Sequence, residues 1–406
     1  MKTLVKAFIP QRVINNLYHL PKAALANIIY RSSAPGGLKI IGVSGTDGKT
    51  TTVNMIYQIL KTAGKKVSMI STVCAVIGGK IYDTGFHVTS PDPFKVQKFI
   101  KLAKENGDEY LVLEVTSHAL DQYRFWGIKF DIGVITNVAH EHLDYHKTQE
   151  NYLKTKLKLI ENCEFAILNQ SVKGKGKKVV TFGLSAGDLN QKQVGLKLKM
   201  PGDYNIENAL AALSVAFALN INKDIARRAL ESFTGVTGRM EEIENNRGIR
   251  IFIDFAHTPN ALEQVLKSLR EQAKGRLIAV FGSAGKRDVK KRSLMGRAGG
   301  ELADIVIVTA EDPRGELEII NRQVVSGAIE AGKIMEKNLF VVEDRSRAID
   351  FAINKIAKKG DIVGIFGKGH EQSINLDGKK EVPWSDKEAI ESSLRSSSFG
   401  RKKPFD

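Results

Sequence analysis

Between Leu38 and Leu168 the chain alternates short apolar runs with longer stretches whose apolar positions recur every three or four residues. The short runs read as buried strands at 38–44, 66–71, 110–115, 131–136 and 164–168, and the periodic stretches as helices at 49–63, 93–106 and 149–161. Two more helices, Asn205 to Leu219 and Ile225 to Phe233, precede the turn Thr234-Gly235. After Gly238 the alternation resumes, with strands near 249–254, 276–282, 304–309, 339–343 and 361–366. Such alternation predicts mostly parallel sheets with helices on both faces, an α/β class protein. Ahead of it, Val13, Leu17, Leu20, Ala24 and Ile28 recur at helical spacing, with Pro21 ending one helix and starting another. Ser32 through Gly37 reads as a linker, Lys173 through Lys178 as a loop or hairpin turn, and the stretch from Ser396 through Lys403 as disordered. The organisation expected is an N-terminal helical segment and linker over 1–37, a central domain over 38–237, a C-terminal domain over 238–392 and a disordered tail over 393–406. The N-terminal helices are expected to pack on the domain that follows, with a partner helix or a membrane surface as the sharper alternative.

The length of 406 residues agrees with this division, being too great for one ordinary core. Hydrophobic content of 42% and charged content of 26% are those of a globular protein. Two cysteines, Cys74 and Cys163, cannot form a disulfide framework, so a reducing compartment such as the cytoplasm is expected. No apolar run approaches the roughly 18 residues that cross a bilayer. The formal charge of +16 suits acidic small molecules. Its lysines are scattered and lack the interleaved aromatics of a nucleic-acid platform, so no nucleic-acid partner is expected.

Chemistry concentrates where strands end. Gly45-Thr46-Asp47-Gly48-Lys49-Thr50-Thr51 follows the first strand and opens the first helix. Glycines there let backbone N–H groups converge on phosphate oxygens, Lys49 adds charge and the Thr50 hydroxyl can ligate Mg²⁺. The loop is compressed relative to the common nucleotide-binding pattern, since Val43 stands where the first Gly would be. Glu114 ends a buried apolar strand, which is costly unless the carboxylate is paired or bound to metal. In His140-Glu141-His142-Leu143-Asp144-Tyr145-His146 the spacing does not match the helical zinc pattern, and a single imidazole turned toward a Mg²⁺–phosphate centre is the better reading. Lys156 taken alone reads as a solvated helix lysine. In the second series Asp254, Gly282 through Arg287, Glu311 through Arg314 and Gly367 through Glu371 each follow a strand's last apolar residue, which puts all four on one sheet edge.

Taken together these residues resemble the Mur ligase family, in its UDP-N-acetylmuramyl-tripeptide synthetase branch. The general matches are the Gly45–Thr50 loop, Glu114, His142, Asn205, Asn208, Arg239 and Asp254. The branch-specific ones are Glu114 through Leu120, His142 through His146, Asp254 through Pro259 and Gly367 through Glu371, with the likeness running from about residue 38 to 392. The resemblance implies a central phosphate-loop ATPase-like domain with a mostly parallel sheet, followed by a Rossmann-like α/β domain. It implies that Lys49 and Thr50 hold the ATP phosphates and that Thr50, Glu114, His142 and Lys156 serve two Mg²⁺ sites, Lys156 as a carbamate. Asn205, Asn208, Arg239 and Asp254 would hold the rest of the nucleotide. Thr89, Ser90, Thr116, Gln122 and Arg124 resemble the muramyl-dipeptide contacts. Arg287, Glu311, Asp312, Pro313, Arg314, Gly367 and Glu371 resemble the amino-acid pocket.

The implied activity is ATP-dependent amide formation in peptidoglycan synthesis. An acyl phosphate would form on UDP-N-acetylmuramoyl-L-alanyl-D-glutamate and be attacked by the amine of meso-diaminopimelate, otherwise of L-lysine. Arg314 favours diaminopimelate, because a guanidinium grips an extra carboxylate; Glu311-Asp312 replaces the usual Asp-Asn pair before Pro-Arg and adds a carboxylate there. Family members usually carry an N-terminal uridine-binding domain, which about 35 residues cannot fold. The alternatives are a pseudomurein-type ligase, a folylpolyglutamate synthase, or an inactive ATP-binding scaffold of wall synthesis.

Overall fold

A computed structural model describes residues 10–30, 37–82, 84, 90–139, 141–286 and 288–396. Thr89 and Arg287 lie outside the described residues, as do 31–36 of the linker and 397–406 of the tail. The chain divides into two compact units that meet in sequence at Thr234–Gly235, with Met200–Gly202 grouped with the second.

The first unit begins with one helical run, α1. It is α-helical over Gln11–Ile14, widens to a π turn over Asn15–His19 and resumes over Leu20–Ile29. The expected break at Pro21 is therefore corrected. Pro21 falls in the first turn of the resumed helix, where its missing N–H costs little, and the π turn just before it absorbs the misfit. Asn15 fixes the run to the unit by donating to Asp121 O and Oδ2 at 3.0 and 2.7 Å.

Among the described residues of this unit nine strands form one sheet. They are β1 (Lys39–Ser44), β2 (Val67–Ile70), β3 (Ala75–Ile77), β4 (Lys80–Tyr82), β5 (Tyr110–Glu114), β6 (Ile132–Ile135), β7 (Phe165–Asn169), β8 (Lys178–Gly183) and β9 (Leu189–Asn190). Their order is β4-β3-β2-β5-β1-β6-β7-β8-β9, parallel except for the hairpins β2–β3 and β3–β4. Central strands are buried on both faces, which is why they read as unbroken apolar runs. One face packs Ile40, Leu111 and Leu113 against Phe99, Ile100, Leu159 and Ile160. On the other face lie α2 (Lys49–Thr62) and, beyond it in the chain, the helix Asp203–Ala218. The helix Pro93–Glu105 starts where Asp92 accepts from the N–H groups of Phe94 and Lys95 and Pro93 takes the first turn. Lys173 through Lys177 form a loop that delivers β8 parallel to β7, so the hairpin option does not hold. The hairpin over Ala75–Tyr82 and the strands β8 and β9 were not legible as strands.

In the second unit β10 (Glu241–Ile243), β11 (Arg250–Asp254), β12 (Leu277–Phe281), β13 (Ile305–Val308), β14 (Leu339–Val341) and β15 (Ile362–Phe366) form a sheet in the order β10-β11-β15-β12-β13-β14. All neighbours are parallel except β10–β11. Ile251, Ile253, Ile278, Val280, Val363 and Ile365 pack on Ile349, Ile353 and Ile390. The last helix, Asp386–Ser396, extends past 392, so 393–396 belong to the folded unit: Ser393 is buried and its carbonyl accepts from Asn354.

Candidate active site

In the first unit the C-terminal ends of β1, β5 and β6 build one cluster. The turn after β1 is possible only with glycine at two places. A Cβ on Gly45 would run into Thr136 Oγ1, and Gly48, at φ 80°, backs onto Asn208 Oδ1. Thr136 and Asn137, at the end of β6, brace the turn. Thr136 Oγ1 donates to Asp47 O at 2.6 Å, and Asn137 Oδ1 accepts from the N–H groups of Thr46 and Asp47 at 3.1 and 2.9 Å. α2 starts at Lys49 with no side chain capping it, so its first N–H groups face the turn without intrahelical partners. Thr51 is buried in that first turn. Lys49 curls back over the turn and donates to Gly45 O and Thr46 O at 3.0 and 2.6 Å. Asn208 also accepts from Thr52 Oγ1 at 3.3 Å, and Asn205 is buried one turn earlier on the same helix.

Lys156 is 1% exposed and donates to Gly45 O at 2.6 Å, with its ammonium 4.4 Å over the Tyr152 ring. Burial first, and then the charge of Lys49, hold its pKa well below the ordinary lysine value. This corrects the reading of Lys156 as solvated surface: the helix face that carries it is turned to the loop. Tyr152 completes the link, its hydroxyl lying 3.2 Å from Thr46 Oγ1. His142 has φ 56°, a conformation costing on the order of 1 kcal/mol for a non-glycine residue. Its ring packs edge-on to His118 at 4.7 Å and to Tyr152 at 6.1 Å. His146 joins the same cluster and bonds Ser117 Oγ at 3.0 Å.

Glu114 is 1% exposed at the end of β5, beside the start of α2. Its oxygens accept from Thr50 Oγ1 at 3.1 and 3.0 Å and from the N–H of Thr72 at 2.8 Å. The chain then turns to Thr116, whose Oγ1 lies 3.1 Å from Ser90 Oγ. Arg124 donates to Ser90 O at 2.6 Å and to Gln122 Oε1 at 3.2 and 2.8 Å. Ser90, Thr116, Gln122 and Arg124 thus form one polar group beside Glu114.

In the second unit Asp254 accepts from the N–H groups of Met240 and Ala256 at 2.7 and 2.8 Å. The Arg239 guanidinium lies 4.5 Å over the Phe255 ring. At the ends of β13 and β15 the charges interlock. Lys368, fully buried, pairs with Glu371 and stands 3.5 Å from Asp312 Oδ1. Asp312 Oδ2 accepts from Arg314 at 2.9 Å, while its Oδ1 accepts from the N–H of Asn375 at 2.7 Å. Pro313 is buried between them in sequence. Glu311, 4% exposed, sits against Gly367, and its Oε2 has no hydrogen-bond partner among the described residues. Burial raises its pKa, against the lowering influence of Lys291, Lys368 and Arg345.

Tyr152, Thr136 and Asn137 were not singled out from the sequence, and Lys368 only as part of the run Gly367 through Glu371. The rule that chemistry sits at strand ends, applied to β6 as it was to the second unit, would have found Thr136 and Asn137.

Known proteins match both units of the chain. Residues 43–216 match the Mur ligase middle domain and residues 238–369 the Mur ligase glutamate ligase domain. The UDP-N-acetylmuramoyl-L-alanyl-D-glutamate--2,6-diaminopimelate ligase 1 of Clostridium acetobutylicum is 36% identical over 382 residues, covering 87% of this chain and 77% of that protein. A solved UDP-N-acetylmuramoyl-L-alanyl-D-glutamate--2,6-diaminopimelate ligase aligns at TM-score 0.59 and 27% identity, over 92% of this chain and 81% of its own. Escherichia coli FolC with DHPP and ADP shares the fold at TM-score 0.68 and 18% identity, over 95% and 94% of the two chains.

Proposed function

We propose, on the premise that this chain belongs to the Mur ligase family, that it joins 2,6-diaminopimelate to UDP-N-acetylmuramoyl-L-alanyl-D-glutamate at the expense of ATP. The observation that carries this reading is the 36% identity to a diaminopimelate ligase over a span that includes both the phosphate loop and the second unit's edge loops. The folate and pseudomurein alternatives rest on likeness of fold alone, and an inactive scaffold would not need the Lys49, Glu114 and Lys156 arrangement. Residues 38–237 act as the ATP-binding domain and 238–392 as the amino-acid domain. Free thiols at Cys74 and Cys163 suit a reducing cytoplasm. The outer face of α1 gives the chain a contact beyond its small-molecule substrates.

The chemistry follows from the residues. The turn over 45–48, the uncapped start of α2 and Lys49 hold the ATP phosphates, with Asn208 set against Gly48 and Asn205 one turn earlier on the same helix. The hard oxygens of Glu114 and Thr50 fit Mg²⁺, which when bound offsets charge on the phosphates. His142 and Lys156 serve a second such site. Burial disfavours the charged form of Lys156, and the free amine is the form that adds CO₂; with loss of a proton it would become a carbamate, which would supply a carboxylate to that site. Ser90, Thr116, Gln122 and Arg124 place the dipeptide's terminal carboxylate, which takes the γ-phosphoryl group and releases ADP. The incoming amine attacks that acyl carbon, loses a proton and expels phosphate, leaving an amide. Arg314 receives the amino acid's second carboxylate, and Glu311, with an oxygen held open, its ammonium. Phosphate release should require both the muramyl dipeptide and an amino acid, and should be fastest with diaminopimelate when lysine and ornithine are run beside it. Release that ignores the amino acid would overturn the ligase assignment.

A further inference from the structure

The helical run α1 is amphipathic in the wrong sense for a helix that ends at the protein it packs on. Its fully buried residues are small or polar: Ala23 and Ala26 are buried, and Asn15 is buried with its amide bonded to Asp121. Ile14 and Leu20 are half-buried, and six large apolar side chains point out. Leu17 is 76% exposed, Ile28 69%, Tyr18 60%, Ile29 53%, Leu25 51% and Val13 41%. Leu17, Leu25 and Ile28 fall on one stripe that starts within the π turn over Asn15–His19. A helix stabilised by its own domain shows the reverse pattern, and a contiguous exposed stripe of this kind marks a surface that something apolar covers.

Charge identifies the cover. From Met1 to Thr46 the chain carries Lys2, Lys6, Arg12, Lys22, Arg31 and Lys39 and no acidic residue; the first carboxylate is Asp47. A second copy of a chain with net charge +16 would bring like charges together. An anionic lipid surface instead takes Leu, Ile and Tyr into its interface and pairs its headgroups with the lysines and arginines. No helix among the described residues is long and apolar enough to cross a membrane, so the contact lies in the interface plane. We propose that α1 docks the enzyme on an anionic lipid surface through Leu17, Leu25 and Ile28, with Arg12 and Lys22 supplying headgroup contacts. This does not rest on the ligase reading.

The test is sedimentation of the full chain with vesicles of equal parts phosphatidylglycerol and phosphatidylcholine, against phosphatidylcholine alone. The wild type should pellet with the first and remain in the supernatant with the second. The triple variant Leu17→Glu, Leu25→Glu, Ile28→Glu should lose binding by at least about tenfold. It should keep the wild-type melting temperature, because all three side chains are exposed, and its phosphate release should be unchanged. Arg12→Glu with Lys22→Glu should weaken binding while leaving the apolar stripe intact. Wild type that stays in the supernatant with both vesicles, or a triple variant that pellets as well as the wild type, overturns the proposal. So does a concentration-dependent dimer that the triple variant abolishes, since a second copy then covers the stripe.

Discussion

At the strand edge of the first unit Lys49 and Lys156 both donate to backbone carbonyls, and no ion pair among the described residues joins either to a carboxylate. At the edge of the second unit three cations are matched to carboxylates. Lys368 pairs with Glu371 and Asp312, Arg314 with Asp312, and Arg345 with Asp386. Two parallel α/β sheets thus present opposite electrostatic states at equivalent places. A polyphosphate brings only negative charge, and Lys49 is the cation held in reserve for it, while Lys156, whose charged form burial disfavours, is set apart for a carbamate. An amino acid brings both signs, and a web of ion pairs can exchange partners with it without leaving a buried charge alone. Glu311 is the exception in the second web, a buried carboxylate with an oxygen left open.

The largest effect should come from removing the buried lysine of the first edge. Lys156→Ala should cut phosphate release by about three orders of magnitude, the scale seen when a preorganised electrostatic group is lost. Formate or acetate should restore part of it, by replacing the carboxylate that the lysine carbamate supplies. Activity that survives the substitution would mean that the buried amine merely ties helix 149–157 to Gly45, and the contrast between the two edges would then rest on Lys49 alone.

A smaller effect, about tenfold, should follow from loosening the second web. In Asp312→Asn the side chain still accepts from the N–H of Asn375, but Arg314 loses its internal carboxylate. The guanidinium then pairs more strongly with a substrate carboxylate, so the kcat/KM ratio of diaminopimelate over lysine should rise by about tenfold. A ratio that does not move would put the amino acid's second carboxylate elsewhere. The substitution is chosen to separate selectivity from catalysis, because Asp312 belongs to the second unit, whereas the phosphate loop and Glu114 belong to the first.

Much of this was legible from the chain alone where one residue type meets one backbone demand. Strands buried on both faces read as unbroken apolar runs, and the turn at Gly45 and Gly48 announced itself because no other residue fits against Thr136 and Asn208. Glu114 was legible for the same reason: a carboxylate ending a buried strand needs a partner, and Thr50 is there. Lys156 was not. A lysine on a helix carries no sign of which face turns inward, and only the packing of Tyr152 and Leu159 shows it. The ion-pair web was hidden too, since Lys368, Asp312 and Glu371 join through β13 and β15, which are not even neighbours in the sheet. The π turn ahead of Pro21 lies beyond periodicity, which sees a proline only as a break.

The smallest effect bears on the exception itself. Folding raises the Glu311 pKa above its ordinary value of 4.5, mainly by burial. The folded state therefore binds that proton more tightly than the unfolded one, and stability falls as pH climbs from about 4.5 through the folded value, then stays low. Glutamine is neutral throughout and escapes that loss. Glu311→Gln and the wild type should melt together in acid and separate as pH rises. At neutral pH the variant should be more stable by about 1 kcal/mol, or about 2–4 °C in melting temperature. Turnover with diaminopimelate should fall in the same variant, because the open carboxylate oxygen that costs stability is the one offered to the substrate ammonium. A variant that melts lower at neutral pH would show that Lys291, Lys368 and Arg345 already satisfy the carboxylate. Glu311 would then belong to the matched web after all, and the two edges would differ without exception.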